Sequence, residues 1–545
     1  MGVPQEPGRP TRLHPRKAGR GPAHQTPGRG TAHSPSQAER TRSARVVPPR
    51  EPTERGGMDG RESELLVVPK KPGNPPYGDP GEGRGSRYME PEQGTMTGTP
   101  NPIPISTKLQ RIAKLAEEIP GGLKTLAHHI DLDWLREAYK RTPKDRAPGV
   151  DGQTAEEYAV DLDANLQRLL DRAKSGTYKA PPVRRVEIPK GKGRETRPIG
   201  IPTLEDKVLQ RAVVMVLEPI YEQDFLNCSW GFRPGRSAHM ALDDLRQTVM
   251  RFQGGWVIDL DVRSFFDTLD HGKLREILHQ RVHDGVLLRL IGKWLKAGYF
   301  KDGERHSRKE GTPQGGVISP LLANLYLHEV LDTWFAGRVK PKLKGPAHLV
   351  RYADDAVLVF RYEEDARRVL AALPDRFARY GLSLHPEKTR LVDFRKPHGR
   401  GEPGPEDVAT TFDFLGFTHF WGRSRKGRWV VKRKTAKDRL SRATRAIHDW
   451  CRRHRDRQVR YQHWILCSKL RGHYAYYGIA GNRRPLWGYR TEVHRSWRKW
   501  LSRRSQRARL SWAKFNRLLR RYPLPKPPAW DAATQRTPVT RSRMR

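Results

Sequence analysis

The segment HLVRYADDAVLVF, residues 348–360, constrains the fold more than any other stretch of the chain. Two apolar runs that read as buried strands flank two adjacent carboxylates, Asp354 and Asp355. Like charges set into an apolar hairpin destabilise it unless something neutralises them. A two-residue connection would carry both carboxylates to one cleft, where a cation could sit between them. The alternative is that both residues simply form the turn, as Asp commonly does. Taken alone, the short YADD motif leaves both readings open.

A second acidic stretch, GWVIDLDVRSFFDTLDH, begins at Gly255. Strand alternation places Asp259 and Asp261 on one face, with Ile258, Leu260 and Val262 on the other. The apolar face belongs to a core, so the acidic face points into a cleft or at a cation. Carboxylate oxygens are the hard ligands Mg²⁺ prefers, usually one or two per ion together with substrate phosphates. Two such ions about 4 Å apart activate an attacking hydroxyl and stabilise a leaving oxygen in phosphoryl transfer.

Charge supports a polyanionic partner. The 545 residues include 104 Lys and Arg against 60 Asp and Glu, a formal charge of +44. Nucleic acid is the simplest such partner, and an anionic membrane surface is the competing one. No run of about eighteen apolar residues exists, so no spanning helix and no membrane partner are expected. The N-terminal stretch lacks the apolar segment of a secretory signal. Cys228, Cys451 and Cys467 are widely separated and form no CxxC pair, which fits a reducing cytoplasm.

Residues 1–105 are rich in Pro, Gly, Arg, Ser and Thr, and are expected to form a disordered tail. Met58, Met89 and Met96 all precede the folded region, so translation could begin later than residue 1. Helical patterning starts near STKLQRIAKLAEEI and continues through DLDWLREAYKR and YAVDLDANLQRLLDRAKSG. Short strands such as VRRVEIP then alternate with amphipathic helices such as KVLQRAVVMVLEPIY, which implies a mixed α/β body. After about residue 425 the chain reads as helical, strongly basic and rich in Trp and Tyr.

The order of motifs adds a resemblance. GVDGQT at 149, IPKGKGRETRPIGIPTLEDKVLQRAV at 188, GFRPGRSAH at 231 and DLDVRSFFDTLDH at 259 come first. GTPQGGVISPLLANLYLHEVLD at 311, RYADDAVLVF at 351, HPEKTRLVDF at 385 and FDFLGF at 412 follow. Over about residues 107–520 this sequence resembles the group II intron-encoded reverse transcriptase/maturase family. The resemblance implies a right-hand polymerase fold of the α+β class. Its parts would be an N-terminal extension (106–180), fingers and palm (181–424), a basic all-helical thumb or maturase domain (425–495) and a short DNA-binding extension (496–545). It also implies an RNA-directed DNA polymerase using two Mg²⁺ ions, with Asp261, Asp354 and Asp355 as catalytic metal ligands and Asp259 as the near neighbour to be distinguished.

Further roles follow from the same resemblance. Lys190 and Arg197 would contact the incoming triphosphate, and Phe266, ahead of Phe265, would pack under the sugar. Gln314 and Gly315 would meet the nascent base pair, and Lys388 would protonate the leaving pyrophosphate. His385 stands where the family usually has Asn. Read physically, Ser319 and Pro320 look like the N-cap and first residue of a helix carrying Leu321, Leu322, Leu325 and Tyr326 to the core. In TEVHRSWRKWLSRRSQR, Val493, Trp497, Trp500 and Leu501 share one helical face. Arg495, Arg498, Lys499 and Arg503 cover the rest, a positive surface suited to phosphates. Tyr474, Tyr476 and Tyr477, set among Gly and Arg, are typical material for RNA stacking. No cysteine follows Cys467, so the zinc-holding HNH endonuclease of many relatives is not expected.

The function implied is that of a mobile-intron protein. It would bind group II intron RNA, promote splicing, and copy that RNA from a primer on a DNA target using deoxynucleoside triphosphates. Two alternatives remain: a maturase acting purely as an RNA chaperone, and a host-recruited reverse transcriptase in phage defence or DNA repair.

Overall fold

The computed structural model describes residues 104–189, 196–307, 310–397, 410–505 and 509–528. The Pro/Gly/Arg-rich segment read as ending at 105 falls almost wholly outside these residues, and Lys190 lies outside them as well. Near the start, helices Ile105–Glu118, Leu132–Arg141 and Leu162–Ser175 form where their apolar periodicity places them. Asp131 caps the second by accepting a hydrogen bond from the Trp134 amide at 2.9 Å, satisfying an otherwise orphaned donor. The first two pack on helix Leu204–Asp224, which is buried around most of its circumference, and Trp134 Nε1 donates to the Ala212 carbonyl at 3.0 Å.

Strand β1 (Val183–Pro189) pairs antiparallel with β2 (Thr196–Ile201). After helix Ala238–Arg251 comes β3 (Trp256–Leu260), then the short strands β4 (Tyr299–Lys301) and β5 (Glu304–His306). Helix Ser319–Leu327 passes into π-helical turns at His328–Thr333 and Phe335–Val339. Strands β6 (Ala347–Tyr352), β7 (Asp355–Phe360) and β8 (Arg390–Asp393) follow. Last come β9 (Phe412–Phe414), β10 (Phe417–Arg423) and β11 (Trp429–Thr435). Among the described residues these strands form three sheets, ordered β2-β1-β4-β5, β6-β7-β3-β8 and β11-β10-β9.

The second of these sheets is buried on both faces. Ile258, Leu260, Leu349, Leu358 and Phe360 point into one core, shared with helices Leu204–Asp224 and Ser319–Leu327. Val257, Val350, Val357, Val359 and Val392 point into another, shared with the C-terminal helices. Each such side chain contributes about 1.5–3 kcal/mol when fully buried, so the sheet is anchored from both sides. The expected contrast between an apolar and an acidic face of β3 is therefore local. The face carrying Asp259 is apolar at Val257 and turns acidic only at its end.

The segment read as all-helical from residue 425 begins instead with a strand. In β11, Val431, Arg433 and Thr435 are buried on one face, and the Arg433 guanidinium sits 2.9 Å from the Asp243 carboxylate. High positive charge masked a period-two pattern that β-branched residues fit well. Helices Lys437–Arg453, Val459–Tyr477, Arg483–Leu501 and Trp512–Arg521 complete the described chain. Among the described residues no helix is long and apolar enough to cross a membrane. All three cysteines are free thiols, two buried and Cys228 half-buried.

Candidate active site

The β6–β7 register sets the hairpin one residue away from its expected frame. Tyr352 pairs with Asp355, so the two-residue turn is Ala353 and Asp354, not the two aspartates. Ala353 adopts φ +56°, a left-handed conformation that disfavours a side-chain-bearing residue by roughly 1–2 kcal/mol. Asp355 opens β7 on the face of Val357 and Val359. The β3–β7 register pairs Asp259 with Val357 and Leu260 with Ala356. One further step places Asp261 opposite Asp355, and Asp354 stands at the tip beside them.

Arg351 braces this hairpin. It is fully buried, and its guanidinium donates to both oxygens of buried Asp332, at 2.7 and 2.5 Å. It also donates to Asn324 Oδ1 at 3.0 Å, Ser229 Oγ at 2.8 Å and the Ala353 carbonyl at 3.0 Å. The π-helical turn at His328–Thr333 carries Asp332, so the irregular helix and the strained turn are joined through one guanidinium.

The three carboxylates repel one another. Crowding by protein, and then the Asp354 and Asp261 carboxylates, push Asp355 up to about 7. Its side chain still opens to solvent, which weakens both the crowding and the repulsion. Burial raises Asp354, with Asp261 adding and the Arg197 and Arg351 charges opposing. Burial likewise pushes Asp259 up to about 6, against the pull of Arg390. Arg390 is Asp259's cross-strand partner on β8 and lies 3.4 Å from its carboxylate. Asp259 is thus claimed by a cation of the protein, although it shares a face with Asp261.

Lys388 reaches Asp261 from a turn fastened to the same residue. The His385 amide donates to the Asp261 carbonyl at 2.8 Å, and Thr389 Oγ1 lies within 3.3 Å of both the Asp261 amide and carbonyl. This latch uses the His385 backbone, so the side-chain departure at 385 does not disturb it. Lys388 Nζ then rests 3.1 Å from Asp261 Oδ2.

Strand β2, the 311–316 loop and the turn after β3 carry the remaining residues. Arg197 lies exposed on β2, and its charge reaches Asp354. The Gln314 carbonyl accepts from the Gly200 amide at 2.7 Å, which joins the 311–316 loop to β2. Gly315 adopts φ +119°, and a Cβ there would lie 2.5 Å from the Gly200 carbonyl, so only glycine fits. Phe265 is buried in the core while Phe266 is half-buried, its carbonyl accepting from the Thr312 amide at 2.7 Å. Ser319 does not cap its helix. Its hydroxyl donates to the Pro313 carbonyl at 2.9 Å and ties the loop down instead. Leu321, Leu322, Leu325 and Tyr326 are buried as their spacing implies.

The C-terminal helices differ from expectation in two places. Val493, Trp497, Trp500 and Leu501 are core residues, as read, and Arg495, Lys499 and Arg503 are exposed. Arg498 is half-buried: it donates to the Leu510 carbonyl at 2.9 Å and lies over the Trp512 ring, so it is not a free phosphate contact. Tyr474 and Tyr477 are buried in the second core, and the Tyr476 hydroxyl donates to the Leu415 carbonyl. These rings pack the helix and are not presented for stacking. Sequence reasoning missed Arg351, Asp332 and Asn324; the signal was an Arg inside an otherwise apolar strand, which requires buried partners.

Among the described residues no three His, Cys, Asp or Glu side chains converge as a ready-made metal site. The donor set nevertheless fits a hard divalent cation. Neighbouring carboxylates push Asp354 and Asp355 up, neither has a side-chain donor among the described residues, and Lys388 is the cation resting on Asp261. One or two carboxylates per ion suffice when phosphates and water complete the shell.

A family model described as reverse transcriptase (RNA-dependent DNA polymerase) matches residues 188–419. Protein YkfC of Escherichia coli K12 is 36% identical over 338 residues, covering 55% of this chain and 83% of YkfC. Group II intron-encoded protein LtrA of Lactococcus lactis is 38% identical over 234 residues, 42% of this chain and 38% of LtrA. Nuclear intron maturase 2, mitochondrial, of Arabidopsis thaliana is 26% identical over 38% of this chain and 32% of its own length. The chain thus spans most of YkfC but well under half of the intron-encoded relatives. Taken with the paired carboxylate strands, these matches show that the chain belongs to the group II intron reverse transcriptase/maturase family.

Proposed function

We propose that this chain is an RNA-directed DNA polymerase encoded by a mobile group II intron. In this reading it binds intron RNA, promotes splicing, and copies the RNA into DNA from a primer at a DNA target. The observation that carries the polymerase is the register that sets Asp261 opposite Asp355, with Asp354 at the adjoining tip and Lys388 3.1 Å from Asp261.

The cleft orients both reactants through the chain's own residues. Arg197, together with Lys190 earlier in the sequence, holds the triphosphate by charge-assisted hydrogen bonds. Gln314 and Gly315 present backbone and amide to the nascent pair, and Phe266 fills the space beneath the sugar. Asp261, Asp354 and Asp355 would hold two Mg²⁺ ions together with substrate phosphates. Such ions, when bound, make the primer hydroxyl a better nucleophile and stabilise the leaving oxygen. Lys388 gives a proton to the departing pyrophosphate, a general-acid role typically worth 10²–10⁴-fold in rate.

In domain terms, residues 106–180 form the N-terminal extension and 181–424 the fingers and palm. The thumb (425–495) and DNA-binding extension (496–545) follow, and Arg495, Lys499 and Arg503 offer positive charge to RNA or DNA there. Primer extension on an RNA template tests the reading. The double variant Asp354→Ala, Asp355→Ala should abolish synthesis while RNA binding persists, and undiminished synthesis would rule the assignment out. Splicing assistance by a wild type that incorporates no nucleotide would instead favour a pure maturase.

A further inference from the structure

The motif GFRPGRSAH carries a residue that neither folding nor the active-site assignments account for. Phe232 is 52% exposed and adopts φ +56°, a conformation uncommon for any residue with a bulky side chain. A large apolar ring is thus held outward by a strained backbone. Such strain persists only where the surroundings over-determine it, and it concentrates at functional sites.

The surroundings do over-determine it. On the N-terminal side, the Trp230 amide donates to the Arg351 carbonyl and the Arg351 amide to the Cys228 carbonyl, both at 2.8 Å. Gly231 abuts the catalytic turn so closely that a Cβ would lie 2.5 Å from the Ala353 nitrogen, and its carbonyl accepts from Asn324 Nδ2 at 2.7 Å. On the C-terminal side, the buried Arg233 guanidinium donates to the Glu222 carboxylate at 2.9 Å and to the Leu226, Ser229 and Phe225 carbonyls. Both neighbours of Phe232 are fastened inward, and Phe232 alone is left out. Its ring centroid lies 6.3 Å from that of Tyr352, the residue immediately before the turn that bears Asp354.

The position selects a ligand. Phe232 lies against β6, one edge of the catalytic sheet, whereas Lys388 precedes β8 at the other edge. The described triphosphate contact proposed above, Arg197, belongs to β2, and the nascent-pair contacts belong to the 311–316 loop; neither supplies a ring or cation partner to Phe232. We propose that Phe232 is a contact for the 3′-terminal nucleotide of the strand being extended, its ring taking the apolar face of a base or deoxyribose. Every base has such a face, so the contact is indifferent to sequence. The rigid loop means that no ordering is required when the strand arrives. This inference rests on the polymerase reading.

The test compares Phe232→Gly and Phe232→Trp with wild type. The readouts are affinity for an RNA-template/DNA-primer duplex, KM for deoxynucleoside triphosphate, and melting temperature. Glycine adopts the positive φ freely, so Phe232→Gly should melt no lower than wild type. It should weaken duplex binding about tenfold or more, the usual effect of losing one base–aromatic contact, and leave the triphosphate KM unchanged. Phe232→Trp should restore affinity. Unchanged duplex affinity in Phe232→Gly overturns the proposal, as does an effect confined to the triphosphate KM, or a lower melting temperature with no recovery in Phe232→Trp. Duplex binding is read without synthesis. A wild type that binds but extends nothing therefore refutes the polymerase reading, and one whose affinity ignores Phe232 refutes this contact.

Discussion

Replacing Asp332 with alanine should be among the most damaging single changes outside the proposed metal-binding carboxylates. Asp332 and Arg351 are both fully buried, and two charge-assisted hydrogen bonds of 2.7 and 2.5 Å join them. Removing one partner of a buried pair leaves an uncompensated charge and typically costs about 3–5 kcal/mol, whereas an exposed pair such as Arg367–Glu363 is worth about 0–1 kcal/mol. Asn324, Ser229 and the Ala353 carbonyl remain as neutral acceptors for Arg351, which sets the expectation at the lower end, about 3 kcal/mol.

The same pair gives a pH signature. Burial pushes the Asp332 carboxyl up, but the Arg351 charge and hydrogen bonds more than offset this and hold it below the usual aspartate value. A folded pKa below the unfolded one means this stability is fully present above the unfolded value, about pH 4. It is lost as pH falls through the lower folded value. Equilibrium urea unfolding at pH 7 should show the loss of about 3 kcal/mol in Asp332→Ala, with Asp332→Asn intermediate. The difference between wild type and Asp332→Ala should shrink at the acid end. A loss below about 1 kcal/mol at pH 7, or a difference that grows on acidification, would refute the bracing role.

Two other substitutions probe the turn and the proposed proton donor, Lys388. Gly231→Ala puts a Cβ within 2.5 Å of the Ala353 nitrogen and 3.0 Å of the Tyr352 carbonyl carbon. The backbone must shift, costing about 1–3 kcal/mol by overpacking and about 10²-fold in synthesis rate if the carboxylates move by about 1 Å. Urea unfolding and steady-state primer extension check both numbers. Lys388→Met should lower the single-turnover incorporation rate about 10²–10⁴-fold while leaving duplex affinity intact, and rapid-quench kinetics read the split.

Much of the site was legible because it follows simple periodicities. Alternation placed Asp259 and Asp261 on one face of β3, and the apolar runs on either side of Asp354 and Asp355 do form β6 and β7. The stripe Val493, Trp497, Trp500 and Leu501 is buried as its spacing implied. What escaped depends on tertiary neighbours. The turn frame shifted by one residue because Ala353 takes a positive φ that Ala disfavours, and only its hydrogen bond from Arg351 and the close approach of Gly231 explain why. Strand β11 was hidden because Arg433 is buried against Asp243, so charge was mistaken for exposure. Tyr474 and Tyr477 look like stacking material by composition, which cannot tell a ring facing RNA from one facing a helix, and both are buried. Alternation alone could not choose between Asp259 and Asp261, since both share a face; the family resemblance favours Asp261, and Arg390 partners Asp259 across the strands.

That choice is also where the account is most exposed. Single-turnover incorporation on an RNA template should be measured for Asp261→Asn and Asp259→Asn side by side, with duplex affinity as the control for folding. The account predicts that Asp261→Asn loses incorporation beyond detection while Asp259→Asn, whose carboxylate is engaged by Arg390, keeps most of it at unchanged affinity. The reverse pattern, or equal loss in both, would contradict it.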